Sequence, residues 1–165
     1  MTKELNKSSM IKRNDINDVV LKKAFEFFYW FSRFEFCLKE NNYLKSEVKG
    51  ERAQPGWEKF VDKFSPSYSQ SKEAKILVNL KPSQQKIGDN GSLIWKEINV
   101  QDDNELQQVV RTLKTIRNNL FHGGKHNVEG WDDIERTEKL LVLGVHVLNE
   151  IVNMAGWEGD FERIY

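Results

Sequence analysis

The sequence has few cysteines and no long apolar run, two features that help to assign a protein to a structural class. Its single cysteine, Cys37, excludes an intramolecular disulfide and fits a reducing, cytoplasmic setting. No run of apolar residues approaches the roughly 18 that a transmembrane helix needs, so we expect no membrane span. Residues 1–13 are polar and lysine-rich and lack an apolar segment, so we expect no secretory signal there.

The chain also lacks net charge. Its 25 Lys and Arg residues balance 25 Asp and Glu residues over a length of 165. Proteins that coat nucleic acid are usually strongly basic. This chain therefore either does not bind nucleic acid or binds it through a local basic patch.

The hydrophobic pattern predicts an all-α fold. Apolar residues recur at helical spacing in several segments, which predict helices at 15–41, 56–64, 67–79, 103–122 and 132–155. Asn90-Gly91 lies between two short apolar runs and indicates a turn, which we interpret as a small irregular or hairpin insertion near 80–100. The length suits one domain. The expected organisation is a flexible N-terminal tail at 1–14, a helical domain at 15–157 and a C-terminal tail at 158–165.

The first predicted helix is apolar on two sides. One side carries the regular apolar stripe, and Phe25, Tyr29 and Phe36 lie on another. A helix of this kind buries both sides. We therefore expect the second side to meet a neighbouring helix or a second subunit.

A charged residue lies on the core-facing side of the 103–122 helix. Arg117 falls within the arc formed by Leu106, Val109, Val110, Leu113, Ile116 and Leu120. Burying a guanidinium is costly unless it is paired. Glu35 lies on the apolar side of the first helix and is the expected partner. The pair is either a purely structural ion pair or part of a functional site.

His122 lies in the last turn of the same helix, before Gly123-Gly124. The negative end of the helix dipole favours imidazolium there, so His122 is either a helix cap or a catalytic group. On an ideal helix Arg117 and His122 point about 140° apart. They therefore face one pocket only if the helix end deforms or a second chain completes the site.

A local basic ridge accompanies these residues. Arg111 and Lys114 share a flank of the helix with Asn118, and Lys125 follows in the loop. The ridge is either an RNA-binding surface or a solvated helix face. The sequence offers no cluster with metal-ligand spacing, and we interpret His146 as a packing residue.

The string Ile-Arg-Asn-Asn-Leu-Phe-His-Gly-Gly-Lys at 116–125 resembles the signature of HEPN domains (higher eukaryotes and prokaryotes nucleotide-binding). In that family an arginine, four to six residues and a histidine lie at a helix end, often with a polar residue after the arginine. Here Arg117 and His122 match the pair and Asn118 the polar position. Residues 27–35, which include Arg33 and Glu35, also resemble the opening helix of small stand-alone members. Residues 45–100 match no motif.

The resemblance implies an up-and-down helical bundle and a metal-independent endoribonuclease, often a toxin or an anti-phage defence effector. Members usually form homodimers in which two motifs build a composite site. It implies catalytic roles for Arg117, Asn118 and His122 and supporting roles for Glu35 and Arg33, with no cofactor. The implied partners are an RNA substrate and a cognate antitoxin.

Two alternatives remain open. Many members of the family are inactive, and such a module would bind nucleotide, RNA or a protein without cleaving anything. A third interpretation is an antitoxin-like or substrate-binding partner of a nucleotidyltransferase, in which the same surface contacts another protein.

Overall fold

Helices make up most of residues 18–121 and 134–163, the parts of the chain that a computed structural model describes. These ranges contain six α-helices and one two-stranded antiparallel sheet, which confirms the all-α class. In chain order the elements are α1 (Asp18–Glu40), α2 (Trp57–Phe64), α3 (Lys72–Asn79), β1 (Ser83–Ile87), β2 (Leu93–Glu97), α4 (Glu105–Phe121), α5 (Ile134–Ala155) and α6 (Glu158–Glu162).

The core forms where α1 packs along α5. Most of the regular stripe of α1 is buried, as its spacing predicts, including Phe27, Phe31 and Phe34, but Phe28 on the same stripe is 39% exposed. Gly144 of α5 makes the approach close, because an added Cβ would lie 2.6 Å from Cε2 of Phe27. The small residue therefore sets the distance between the two longest helices.

The second apolar side of α1 is not covered within the described residues. Phe25 is 70% exposed, and Tyr29 is exposed as well. Phe36, expected on the same side, is half-buried and lies under the guanidinium of Arg33. None of the described helices combines the length and apolar character that crossing a bilayer requires.

The insertion between α3 and α4 is a β-hairpin. β1 pairs with β2 from Ser83 opposite Glu97 to Ile87 opposite Leu93. Asn90 and Gly91 both have positive φ, 56° and 75°, which explains why the Asn-Gly signal identified this turn. Asn119 at the end of α4 donates a 2.7 Å hydrogen bond to the carbonyl of Ser83, so the hairpin is anchored beside the end of that helix.

The segment expected to be a C-terminal tail, 158–165, is folded over 158–162 as α6. Gly156 adopts φ 71°, and Trp157 donates its backbone N–H to the carbonyl of Val152, which reverses the chain after α5. Phe161 is then only 2% exposed and lies 4.8 Å from the ring of Trp30. The helical domain therefore extends beyond 157, because an aromatic side chain in the supposed tail joins the core.

Candidate functional site

Arg117 lies in the penultimate turn of α4 and is half-buried, in keeping with its position on the apolar arc. Its guanidinium carbon lies 5.2 Å from the ring centroid of Phe121 and 6.0 Å from that of Phe31, within range of cation–π attraction. Its Nη1 donates a 3.0 Å hydrogen bond to Oδ1 of Asn118. The guanidinium is thus held by aromatic rings and by the neighbouring amide.

The expected ion pair between Glu35 and Arg117 is not formed. In the described part of the chain, no carboxylate oxygen lies within 4.0 Å of the Arg117 guanidinium. Glu35 instead accepts a 3.1 Å hydrogen bond from the indole N–H of Trp57. The indole is buried and needs an acceptor, so it takes the carboxylate that the sequence pattern assigned to the arginine.

Arg117 and Glu35 nevertheless line one open cleft of about 670 Å³, which we call the basic cleft. It lies between α1, the start of α2, the 44–56 loop and α4. Among the described residues, two that line it are acidic, Glu35 and Glu58. Six that line it are cationic: Lys39, Lys45, Arg52, Lys59, Lys114 and Arg117. A chain with no net charge therefore gathers a local excess of positive charge around Arg117.

The loop between α1 and α2 brings two of these cations, Lys45 and Arg52, to the cleft. The loop folds back on itself through a bridge between Leu44 and Pro55 and a hydrogen bond from Lys45 N to the carbonyl of Gln54. Gly56 closes it, because a Cβ there would lie 2.7 Å from the carbonyl carbon of Leu44. The loop is thereby held against the end of α1.

Lys59 differs from the other cations of the cleft. Its ammonium lies 2.6 Å from Oε1 of Glu47. This hydrogen bond, together with the charge of Lys59, lowers the pKa of the Glu47 carboxyl. Within the described ranges, the other five cations have no carboxylate within 4.0 Å. Their charge is therefore available to an anionic ligand.

Sequence reasoning missed four residues of the cleft. Lys39, Lys45, Arg52 and Lys59 lie 58 or more positions before Arg117 in the chain. Nothing in their local pattern separates them from ordinary surface residues. The available signal was coarse: a loop of about 16 residues between two helices is long for a purely connecting segment.

The predicted basic ridge is divided by the structure. Lys114 is exposed and lines the basic cleft, and Asn118 is exposed beside Arg117. Arg111 instead forms an ion pair with Asp103, just before α4, and is not among the residues lining the cleft. Its charge is already compensated by a neighbour that precedes it by two helical turns.

Arg33 holds the end of the chain in place. Its Nη2 donates to the carbonyl of Asp160 at 2.6 Å, and its Nε donates to the carbonyl of Phe161 at 3.2 Å. It is not among the residues that line the basic cleft. In this geometry Arg33 attaches α6 to α1, and the supporting role that the resemblance implied for it stays a prediction.

Two of the predicted site residues lie outside the described residues. His122, the expected acid or base, follows directly after the last described residue of α4, and Lys125 comes three positions later in the sequence. Their predicted roles rest on the sequence alone.

Two aromatic side chains lie beside the site. Phe121, the neighbour of His122, is 61% exposed, and its ring stacks on Phe28 of α1 with a centroid distance of 6.4 Å. One side of Phe121 also meets the guanidinium of Arg117. Exposed aromatic rings next to cations are typical surfaces for stacking nucleic-acid bases.

His146 is not the packing residue that we expected. Its side chain is 54% exposed and lies 3.2 Å from a carboxylate oxygen of Glu150, one turn further along α5. Glu73 of α3 approaches the same pair. Sequence spacing did not indicate this cluster because its third member comes from a different helix.

Comparison with family models, with curated proteins and with solved structures gave no match for this chain.

Proposed function

We propose that the chain is an endoribonuclease of the HEPN type that uses no metal in catalysis and cleaves RNA by attack of the 2′-hydroxyl. The observation that carries the proposal is Arg117, an arginine without a carboxylate partner in the described chain, at the wall of the basic cleft. A phosphodiester is the ligand whose geometry and charge suit a planar guanidinium fork in a cationic groove.

The chemistry needs little from the protein, because RNA carries its own nucleophile. The protein must move protons and stabilise the negative charge that develops on phosphorus. Arg117 supplies the charge. Asn118 accepts a hydrogen bond from Arg117, so it fixes the orientation of the guanidinium. His122 serves as acid or base, as the family resemblance implies. The products are a 2′,3′-cyclic phosphate and a 5′-hydroxyl.

The remaining lysines and aromatic rings suit the substrate. The cations of the basic cleft are spread over three helices and a loop, which favours a polyanion over a single phosphate group. Phe121 adds an exposed aromatic side chain next to Arg117, where an unstacked base would bind. Single-stranded RNA exposes its bases in this way, whereas a duplex hides them.

A second subunit is part of the proposal. Arg117 and His122 diverge on a straight helix, and Phe25 and Tyr29 leave the outer side of α1 apolar and exposed. A homodimer would cover such a surface and bring two helix ends together. A role in a toxin–antitoxin or anti-phage system, with a cognate antitoxin, follows from the resemblance only.

The test is cleavage of a mixed-sequence RNA in EDTA by the parent chain, Arg117→Ala and His122→Ala. Both variants should lose activity by about a hundredfold or more, since each removes a group that acts in the transition state. The matched control is Lys63→Ala, an exposed lysine of α2 that does not line the cleft. Equal cleavage by all four proteins would reveal a contaminating nuclease and refute the assignment.

A module that binds RNA without cleaving it is the second candidate. The basic cleft favours it, because the charge excess lies within the described residues and does not depend on His122. The same experiment separates the two: RNA binding that Arg117→Ala weakens, with no cleavage by the parent chain, supports the binding module.

A further inference from the structure

Glu73, His146 and Glu150 form a group of potential metal ligands where α3 packs against α5. His146 and Glu150 are four residues apart on α5, so their side chains leave the helix on the same face. Glu73 lies in the first turn of α3. One ligand atom from each residue lies within 4.8 Å of the other two. Two helices thus contribute three donors to one small volume.

The distances suit a tetrahedral ion. Zn²⁺ binds imidazole nitrogen and carboxylate oxygen at about 2.0–2.2 Å, which puts two donors roughly 3.3–3.5 Å apart in a tetrahedron. Nε2 of His146 and Oε1 of Glu150 are 3.2 Å apart. These two atoms therefore need to move only slightly to bind the same ion. Glu73 needs only a small movement of a flexible, partly exposed side chain.

One ligand is already oriented by a neighbour. Ser71, which caps α3 by accepting from Ala74 N, also donates its hydroxyl hydrogen to Oε2 of Glu150 at 2.8 Å. The other oxygen, Oε1, is left toward His146. Hydrogen bonds of this kind to a ligating carboxylate are the usual support of metal sites in proteins.

The group carries uncompensated negative charge. Among the residues that the structure describes, neither Glu73 nor Glu150 has a Lys or Arg nitrogen within 4.0 Å. The nearby Tyr68 hydroxyl is buried and has no hydrogen-bond partner in the same ranges. The two carboxylates are therefore not neutralised by a lysine or arginine in the part of the chain that the structure describes.

We propose that Glu73, His146 and Glu150 bind one divalent transition-metal ion of the Zn²⁺ type, with water as the fourth ligand. The imidazole nitrogen favours Zn²⁺ over Mg²⁺ and Ca²⁺, which prefer oxygen ligands alone. The ion links α3 to α5. It shares no residue with the basic cleft and takes no part in the cleavage proposed above.

The test is calorimetric titration of the metal-free chain with Zn²⁺, with thermal unfolding as a second readout. We expect one ion per chain and a higher Tm in Zn²⁺ than in EDTA. His146→Ala should abolish binding at this site, and Glu73→Gln should weaken it by about tenfold or more. His126→Ala is the matched control, since it removes a histidine outside the group.

Each outcome decides the proposal. No Zn²⁺ binding by the parent chain would overturn it. So would unchanged binding by His146→Ala or by Glu73→Gln, because the ion would then lie elsewhere or need only two of the three ligands. Circular dichroism of each variant in EDTA shows whether it is folded; His146 is exposed, so its loss should leave the helix content unchanged.

Discussion

The charge of the basic cleft predicts how RNA affinity depends on salt. Five of its cations have no carboxylate partner within the described residues. If each neutralises one phosphate, log K for a single strand falls against log[salt] with a slope of about −3.5, at about 0.7 per phosphate. Removing two of the five should bring the slope to about −2.

The perturbation is Lys39→Ala combined with Arg52→Ala. The two residues come from different elements, α1 and the 44–56 loop. Each phosphate contact raises the binding constant at about 0.1 M salt by about fivefold relative to 1 M salt. Losing two contacts should therefore weaken binding at about 0.1 M salt by about 25-fold. Both side chains are at least partly exposed, so we expect the fold to remain intact.

The assay is fluorescence anisotropy with a labelled RNA whose riboses are 2′-O-methylated, so that it cannot be cleaved. Lys63→Ala combined with Lys75→Ala removes the same charge from two exposed positions outside the cleft and is the matched control. A slope that falls equally in both double variants would show that RNA responds only to net charge. That result would refute the assignment of the cleft.

Three further predictions concern the packing and the cleft. Gly144→Ala should destabilise the fold by about 1–3 kcal/mol relative to Gly159→Ala, a control that adds a methyl group in open space. Chemical denaturation measures the difference in the free energy of unfolding. Equal stabilities of the two variants would contradict the close approach of α1 and α5. Burial raises the pKa of the Cys37 thiol to about 11. A disulfide reagent at about pH 8 should therefore label Cys37 only in denaturant. Rapid labelling of the native protein would contradict its burial. Glu35→Gln should strengthen RNA binding by about twofold at low salt, because it removes a negative charge from the cleft; weaker binding would mean that Glu35 braces Arg117 after all.

Helix positions could be predicted from the sequence because they depend on local periodicity. The buried stripe of α1, the apolar arc of α4 around Arg117 and the turn at Asn90-Gly91 all follow from spacing or from backbone preference at single residues. α6 was not predicted because five residues are too few to show a helical period of apolar residues. The burial of Phe161 explains why this helix packs on the core.

Partners of charged side chains were harder to predict. Glu35 and Arg117 suit each other by sign and by face, yet the buried Trp57 indole takes the carboxylate. Arg33 was assigned to the site by resemblance, but it bonds to backbone carbonyls of α6. Each outcome depends on contacts between residues far apart in sequence, and hydrophobic spacing carries no information on them.

In the proposed reaction, the 2′-hydroxyl of RNA attacks its own phosphodiester at Arg117. One measurement tests it directly: cleavage in EDTA of an RNA that carries a single 2′-deoxyribose immediately 5′ of a mapped cut. We predict that this one cut disappears while the neighbouring cuts and the binding affinity persist, and that the remaining products end in 2′,3′-cyclic phosphate. Continued cleavage at the substituted position, or products with 5′-phosphate ends, would contradict the account.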